Sequence, residues 1–138
     1  MAHAIRIHQH GGPEVLRWEE VTVADPGPGE VRVRNTAIGL NFIDTYQRSG
    51  LYPMPLPFTC GSEGAGVVEA IGPKVKGLKV GDRVAYANPI GAYAEVLLRP
   101  ADKLVKIPAG VSDQTAAAMM LKGMTAWYLL RRTYKVKK

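Results

Sequence analysis

The chain has 138 residues, of which 46% are apolar and 22% are charged, and its formal net charge is +6. This length fits one ordinary domain, and the composition argues against wholesale disorder, a coiled coil or a second full domain. No apolar run approaches the roughly 20 residues that span a bilayer, and the first residues lack the apolar core of a secretory signal. The single cysteine, Cys60, rules out an internal disulfide framework and favours a reducing compartment, so we expect a cytoplasmic protein.

The positive charge is unevenly distributed along the chain. Residues 1–113 carry 12 basic and 12 acidic side chains, so the whole excess lies in the last 25 residues. It comes from Lys122, Arg131, Arg132, Lys135, Lys137 and Lys138. Nucleic-acid binding through this basic tail is an alternative on electrostatics alone. Because the tail lacks interleaved aromatic side chains on a sheet, it offers no stacking platform, and we expect no nucleic-acid partner.

The first hundred residues predict β structure. Apolar and polar side chains alternate in short segments, and glycine or proline turns separate those segments. The predicted strands cover residues 4–8, 15–23, 31–34, 67–71, 83–86 and 93–98. Short strands separated by turns at such regular intervals are typical of a partly open β-barrel or sandwich.

Helices are predicted in two places. Residues 41–49 have helical spacing, with Asn41 as a suitable N-cap and Gly50 as a suitable end. After residue 110 the spacing of apolar residues changes from the period of strands to that of helices, and Ser112 is expected to cap a helix that ends at Gly123. A second helix is predicted from residue 125 to residue 133. In this region we expect three side chains to pack in the core, namely Met119, Met120 and Leu129.

The most specific pattern in the chain surrounds Glu63. Residues 61–75 read G-x-E-x-x-G-x-x-x-x-x-G-x-x-V, which resembles the signature of the medium-chain dehydrogenase/reductase superfamily. Residues 28–31, 80–84 and 91–95 resemble further family segments, in the family's order. The resemblance covers essentially the whole chain. It implies a GroES-like, partly open β-barrel as the catalytic domain over residues 1–111, followed by a helical connector over residues 112–138.

The zinc ligands of the superfamily are missing from the sequence. Zinc-dependent members carry an early catalytic cysteine, a histidine before the motif glutamate and a lobe with four cysteines. Here Ser62 precedes Glu63, and Cys60 alone cannot build a closed thiolate site. His8 and His10 share a predicted strand face but have no third ligand. We therefore expect no metal.

Residues 39–52 closely resemble the zinc-free, zeta-crystallin-like quinone oxidoreductases, and residues 122–125 match the "KGxT" segment of that group. This resemblance implies an NADPH-dependent quinone reductase, in which hydride passes from the nicotinamide to a quinone. It also implies that Asn41 and Tyr46 face the nicotinamide and substrate, and that Tyr52 lines the pocket. Thr125 would contact the cofactor, and Lys122 would support that turn.

The residues alone leave other interpretations open. An Asn amide or a Tyr hydroxyl can stabilise a developing oxyanion. From spacing alone, however, Asn41 is more readily a helix cap, and Tyr46 and Tyr52 fit the edge of an amphipathic core equally well. Glu63 fits a structural carboxylate among backbone amides. Two further functions stay open: an enoyl or alkenal reductase of the same superfamily, and a non-catalytic GroES-like interaction module.

A dinucleotide-binding loop is not found in the sequence. No G-x-G-x-x-G follows a predicted strand, so we expect the chain to lack a Rossmann domain and to correspond to the substrate half of a two-domain reductase. Alone it should bind NADPH poorly and show no independent reductase activity. Uncovered strand edges would favour pairing between chains, so a homodimer is a further expectation.

Overall fold

The computed structural model describes residues 1–134 and residue 136, and in this range the chain forms two antiparallel sheets. The strands are β1 (Ala2–Ile7), β2 (Arg17–Val21), β3 (Glu30–Gly39), β4 (Phe58–Thr59), β5 (Glu63–Ile71), β6 (Arg83–Ala87), β7 (Val96–Pro100) and β8 (Val105–Lys106). The helices are α1 (Phe42–Ser49) and α2 (Asp113–Tyr128), and a π-helical turn (Leu129–Thr133) follows α2. The prediction of a mainly β chain with short helices is confirmed. No helix in the described range is long and apolar enough to cross a membrane.

The larger sheet has the strand order β7-β3-β5-β6-β8, and the smaller one the order β2-β1-β4. β3 is the longest strand; it pairs with β5 from Val31 to Gly39 and with β7 only over its first half. Short contacts between β1 and the segment before β7 join the sheets, including an isolated bridge from Ala4 to Ala94. Within the described residues the two sheets do not close into a full barrel.

The core divides between the two sheets and α2. Four valines of the larger sheet form one cluster: Val31, Val33, Val68 and Val84. A second cluster under the smaller sheet contains Ile7, Val15, Phe58 and Cys60. The first turns of α2 lie on the other face of the larger sheet, where small side chains let the helix approach the strands closely. That contact joins Ala116 and Ala117 to Ala65 and Ala85.

α1 begins and ends where the sequence predicts. Asn41 has extended backbone angles at the N-cap position, and its N–H donates to the Asp44 carboxylate at 2.9 Å. A carboxylate in the first turn satisfies a backbone donor that the helix leaves free. Gly50 ends the helix with φ of 85°, a left-handed conformation that glycine adopts without a steric penalty.

The predicted break of α2 at Gly123 is wrong. The helix continues through Gly123 as far as Tyr128, because one glycine inside a helix weakens it without ending it. The core prediction for this region is also largely wrong. Met119 and Leu129 are about half exposed, and Met120 is partly buried against the alanine cluster. The reason is that only the first turns of α2 lie on the sheet.

Several strand predictions need smaller corrections. Residues 13–15 form a 3-10 turn before β2, and residues 93–95 come before β7 rather than opening it. β1 ends at Ile7, so His8 and His10 lie beyond it, and His8 Nε2 contacts a Glu19 carboxylate oxygen at 3.0 Å. Of the basic tail, Lys135, Lys137 and Lys138 lie outside the described residues.

Candidate functional site

A buried carboxylate joins the start of α1 to the middle of α2. Glu63 opens β5, and its side chain is fully buried. Its Oε1 accepts a hydrogen bond from Asn41 Nδ2 at 2.8 Å and forms an ion pair with Lys122 Nζ at 3.2 Å. Its Oε2 accepts from the backbone N–H of Leu121 at 2.6 Å. Three donors from two helical regions thus converge on one carboxylate.

A second buried carboxylate supports the same helix start. Asp44 accepts the hydroxyl of Ser62 at 2.9 Å and the hydroxyl of Tyr93 at 2.9 Å, in addition to the Asn41 N–H. Burial and the Asp44 charge raise the pKa of the Tyr93 hydroxyl above its usual range, so this hydroxyl stays a donor at neutral pH. Asp44 therefore ties α1 to the segments before β5 and β7.

The single cysteine lies next to this second network. Burial first, and the Asp44 charge second, raise the pKa of the Cys60 thiol to about 11. The thiolate is the nucleophilic form of cysteine, and this environment disfavours it at neutral pH. Cys60 also packs in the cluster under the smaller sheet. Its position is that of a small core side chain.

Tyr46 and Tyr52 form an exposed aromatic pair. Their ring centroids lie 5.5 Å apart in an edge-to-face arrangement, and the Tyr52 N–H donates to the Tyr46 carbonyl at 3.1 Å. Tyr46 is 38% exposed and Tyr52 is 53% exposed, so neither is a core side chain. The neighbouring Phe42 is 80% exposed, which extends this aromatic surface along α1.

Lys122 and Thr125 lie on the stretch of α2 that follows Leu121. Lys122 Nζ donates to the Leu40 carbonyl at 3.2 Å as well as contacting Glu63. Thr125 Oγ1 donates to the Leu121 carbonyl at 2.8 Å, which is one turn earlier in the same helix. Both side chains are exposed, and the side chain of Lys122 is 57% exposed. Lys122 thus touches the carboxylate that holds the start of α1, and Thr125 lies one turn further along the helix.

The structure brings the predicted site residues together in part. Asn41 and Lys122 meet at one carboxylate, and Tyr46 and Tyr52 touch each other. Thr125 follows Lys122 on α2, and its hydroxyl hydrogen is donated within the helix. Among the described residues, no group of three or more His, Cys, Asp and Glu side chains is arranged to hold a metal ion.

Sequence reasoning missed Ser62, Tyr93 and Gly39 as parts of this region. A Cβ at Gly39 would lie 2.5 Å from Glu63 Cγ and would overlap the Ala117 carbonyl of α2. Tyr93 meets Asp44 across 49 positions of sequence. The one signal for Ser62 is its place in the motif, directly before Glu63.

A groove of about 470 Å³ opens beside the second half of β3 and reaches Leu40, the residue before Asn41. It is lined by Ile5, Trp18, residues 35–40 and residues 93–95. Most of its surface is apolar, and Tyr93 connects it to the Asp44 network.

Comparison with known proteins adds a family and several relatives. Residues 27–109 match the family model of the alcohol dehydrogenase GroES-like domain. The chain is 59% identical to a quinone oxidoreductase of Pseudomonas aeruginosa, an alignment that covers 99% of this chain and 43% of that protein. It is 52% identical to a 2-haloacrylate reductase of a Burkholderia species, with 99% and 43% covered.

A solved structure shows the same fold. The crystal structure of Escherichia coli quinone oxidoreductase complexed with NADPH superimposes with a TM-score of 0.96 at 54% identity. The superposition covers 99% of this chain and 42% of that one. The chain therefore spans less than half the length of the curated relatives it matches.

Proposed function

This chain belongs to the alcohol dehydrogenase GroES-like domain family, and from that membership we propose that it forms the substrate side of a zinc-free, NADPH-dependent quinone reductase. In this proposal residues 1–111 are the catalytic domain, and residues 112–138 connect it to a nucleotide-binding domain. Identity to quinone oxidoreductases, and the NADPH complex of the Escherichia coli relative, support it. The donor set supports the zinc-free part, because Ser62 stands before Glu63 and its hydroxyl donates to Asp44.

The fixed amide of Asn41 is the observation that carries the proposal. Reduction of a quinone places negative charge on a carbonyl oxygen, and a donor already held in place stabilises that charge best. Asn41 Nδ2 carries two hydrogens and gives one to Glu63, which leaves the second for a substrate oxygen. The backbone of Asn41 is held by Asp44, so the amide need not reorganise as charge develops.

The aromatic pair provides the surface on which a quinone ring can lie. Tyr46 and Tyr52 meet edge to face, so the exposed rings present apolar area together with hydroxyl donors. Pockets for flat substrates combine such apolar walls with a few polar anchors. In the proposed site the two tyrosines bind and orient the ring, and Asn41 receives the carbonyl oxygen.

Two side chains of α2 fit the cofactor side. The Lys122 ammonium has three hydrogens, of which Leu40 and Glu63 take two, so one remains for an oxygen of the cofactor. The Thr125 hydroxyl keeps its acceptor lone pairs. NADPH, when bound, supplies the hydride. Because the sequence contains no G-x-G-x-x-G, we propose that this chain alone binds NADPH weakly and turns over no quinone.

The test replaces the matching segment of Escherichia coli quinone oxidoreductase with residues 1–138. The chimera should oxidise NADPH when 1,4-benzoquinone is added, and the isolated chain should not. Replacing Asn41 with Ala in the chimera should lower kcat by roughly 100-fold, as expected for loss of an oxyanion donor. The matched control is Gln114→Ala, which truncates an exposed amide on α2 and should leave kcat unchanged.

Two outcomes would contradict the proposal. The first is a folded chimera that binds NADPH but reduces no quinone. The second is a chimera that reduces 2-chloroacrylate or an alkenal in preference to every quinone tested. Quinone turnover by the isolated chain would contradict only the statement that it is inactive alone.

A further inference from the structure

Glu63 is fully buried, so it can contact neither substrate nor cofactor, yet it contacts both halves of the proposed site. On one side it accepts from the Asn41 amide, and on the other from Leu121 and Lys122 of α2. A carboxylate has only acceptor atoms, so each of these contacts fixes a donor in place. Glu63 thus connects the residue proposed to bind the substrate oxygen with the turn proposed to bind the cofactor.

The Glu63 carboxylate determines which way the Asn41 amide faces. An Asn side chain has a donor end and an acceptor end of nearly the same shape. Beside a carboxylate only the donor end is favourable, because the flipped amide would place two oxygens together in a buried region. Nδ2 therefore faces Glu63 at 2.8 Å. Because the amide NH₂ group is planar, the hydrogen bond from one Nδ2 hydrogen to Glu63 also fixes the direction of the other Nδ2 hydrogen.

The packing around Glu63 leaves it little freedom to move. A Cβ at Gly39 would lie 2.5 Å from Glu63 Cγ and 2.6 Å from Oε1, so glycine is needed there for space. The same Cβ would overlap the Ala117 carbonyl of α2. β3, β5 and α2 therefore meet at this carboxylate, and a small displacement of one is transmitted to the others.

We propose that Glu63 is a positioning residue, which orients the Asn41 amide and holds it in register with the Lys122 turn of α2. The kinetic part of this inference rests on the proposed function, and the structural part does not. Without Glu63 the amide can rotate by about half a turn and offer an oxygen where the substrate oxygen needs a donor. Glu63 thus acts through Asn41.

The structural part is tested on the 138-residue chain by amide hydrogen exchange measured with NMR. In Glu63→Gln one carboxylate oxygen is replaced by an NH₂ group, which is a donor. This NH₂ faces either the Leu121 N–H or the donors of Asn41 and Lys122, and a donor facing a donor forms no hydrogen bond. Exchange at the Leu121 amide and the Asn41 side-chain amide should accelerate by roughly tenfold or more. Amides of paired strands β5 and β6 should keep their protection.

The matched control is Glu69→Gln, the same change on the same strand. Glu69 pairs with Arg34 at the surface, so its replacement should leave both site amides unchanged. Glu63→Asp keeps the charge but shortens the side chain, and it serves as the second variant if Glu63→Gln does not fold. Unchanged exchange at both site amides in a folded Glu63 variant would overturn the proposal.

The kinetic part is tested in the chimera. Glu63→Gln should lower kcat for the quinone by roughly 10- to 100-fold, the size of loss expected from a misplaced catalytic group, with a much smaller change in KM for NADPH. The double variant with Asn41→Ala should be no slower than Asn41→Ala alone, since Glu63 acts through Asn41. Additive losses would overturn this role. If the unmutated chimera reduces no quinone, the proposed function fails, and the exchange data still decide the role of Glu63.

Discussion

The two halves of α2 differ in almost every contact although they form one continuous helix. The docked half, residues 113–121, is bonded to three strands: Asp113 reaches β3 and β6, and the Leu121 N–H reaches Glu63 of β5. The outer half, residues 122–128, exposes Met124, Trp127 and Tyr128. The same helical backbone thus runs from a buried site onto an apolar surface. Because helices in proteins are stabilised mostly by tertiary packing, we expect the docked half to be more stable than the outer half.

The change from docked to outer half falls beside Lys122, where the proposed cofactor side begins. Among the residues that the structure describes, Lys122 is the last side chain of α2 bonded to the larger sheet and its connections, through Glu63 and Leu40. The docked half therefore fixes the geometry of the proposed site. The outer half begins with Lys122, carries Thr125, and also exposes apolar side chains such as Met124 and Trp127.

Overpacking the docked half should have the largest effect on stability. Ala117 is 1% exposed and packs against the alanines of β5 and β6, so Ala117→Leu has no space for its added carbons. It should lower the free energy of unfolding by about 1–3 kcal/mol, measured by urea denaturation. The control in the outer half is Ala126→Leu, at an exposed position, which should change it by less than about 0.5 kcal/mol. Equal effects at the two positions would show that both halves are docked.

Removing the charge of Asp113 should have an intermediate effect. Hydrogen bonds from the Thr36 hydroxyl at 2.6 Å and from Arg83 Nε at 2.9 Å hold the pKa of this carboxyl below its usual range. Asp113→Asn should therefore cost about 1–2 kcal/mol at neutral pH. Because the folded pKa is lowered, this contribution is present above the unfolded pKa of about 3.9 and is lost as pH falls through the folded value.

The measurement is urea denaturation of both proteins from pH 7 down to pH 3. The stability difference between the original chain and Asp113→Asn should shrink as the pH falls below about 4. Asp102→Asn is the control, since the Asp102 side chain is 74% exposed and contacts only Lys103 at 3.9 Å among the described residues. A difference that stays constant over this range would mean that the charge of Asp113 does not stabilise the docked half.

The sequence was sufficient for the mainly β fold and for the helix start at Asn41, because both depend on local patterns. Alternating side chains located the longer strands, whereas β4 and β8 have two residues each and leave no period to detect. The helix cap at Asn41 follows from residue type and spacing. The longer strands and the start of α1 are thus properties of neighbouring residues.

The contacts that build the candidate site could not be predicted in the same way. Glu63 meets the Leu121 N–H across 58 positions, and Tyr93 meets Asp44 across 49. Such pairs depend on how the strands stack, which no local period records. Gly123 shows the opposite error, since a residue that usually ends helices lies inside one. The helix does not end at Gly123. What changes near it is the packing of α2, because the Leu121 N–H makes the last backbone bond from α2 to the sheet.

Filling Gly123 should have the smallest effect, and it tests the continuity of the two halves. A Cβ there would meet only Met119 Cε at 3.8 Å and Met119 Cβ at 3.9 Å, which are ordinary contacts. In a continuous helix Gly123→Ala should therefore raise the free energy of unfolding by about 0.5–1 kcal/mol, as measured by urea denaturation. Gly110→Ala is the contrasting variant: its φ of 87° disfavours any side chain, so it should destabilise the chain. A loss of stability in Gly123→Ala would instead mean that the helix bends at this residue, and that the outer half is a separate element.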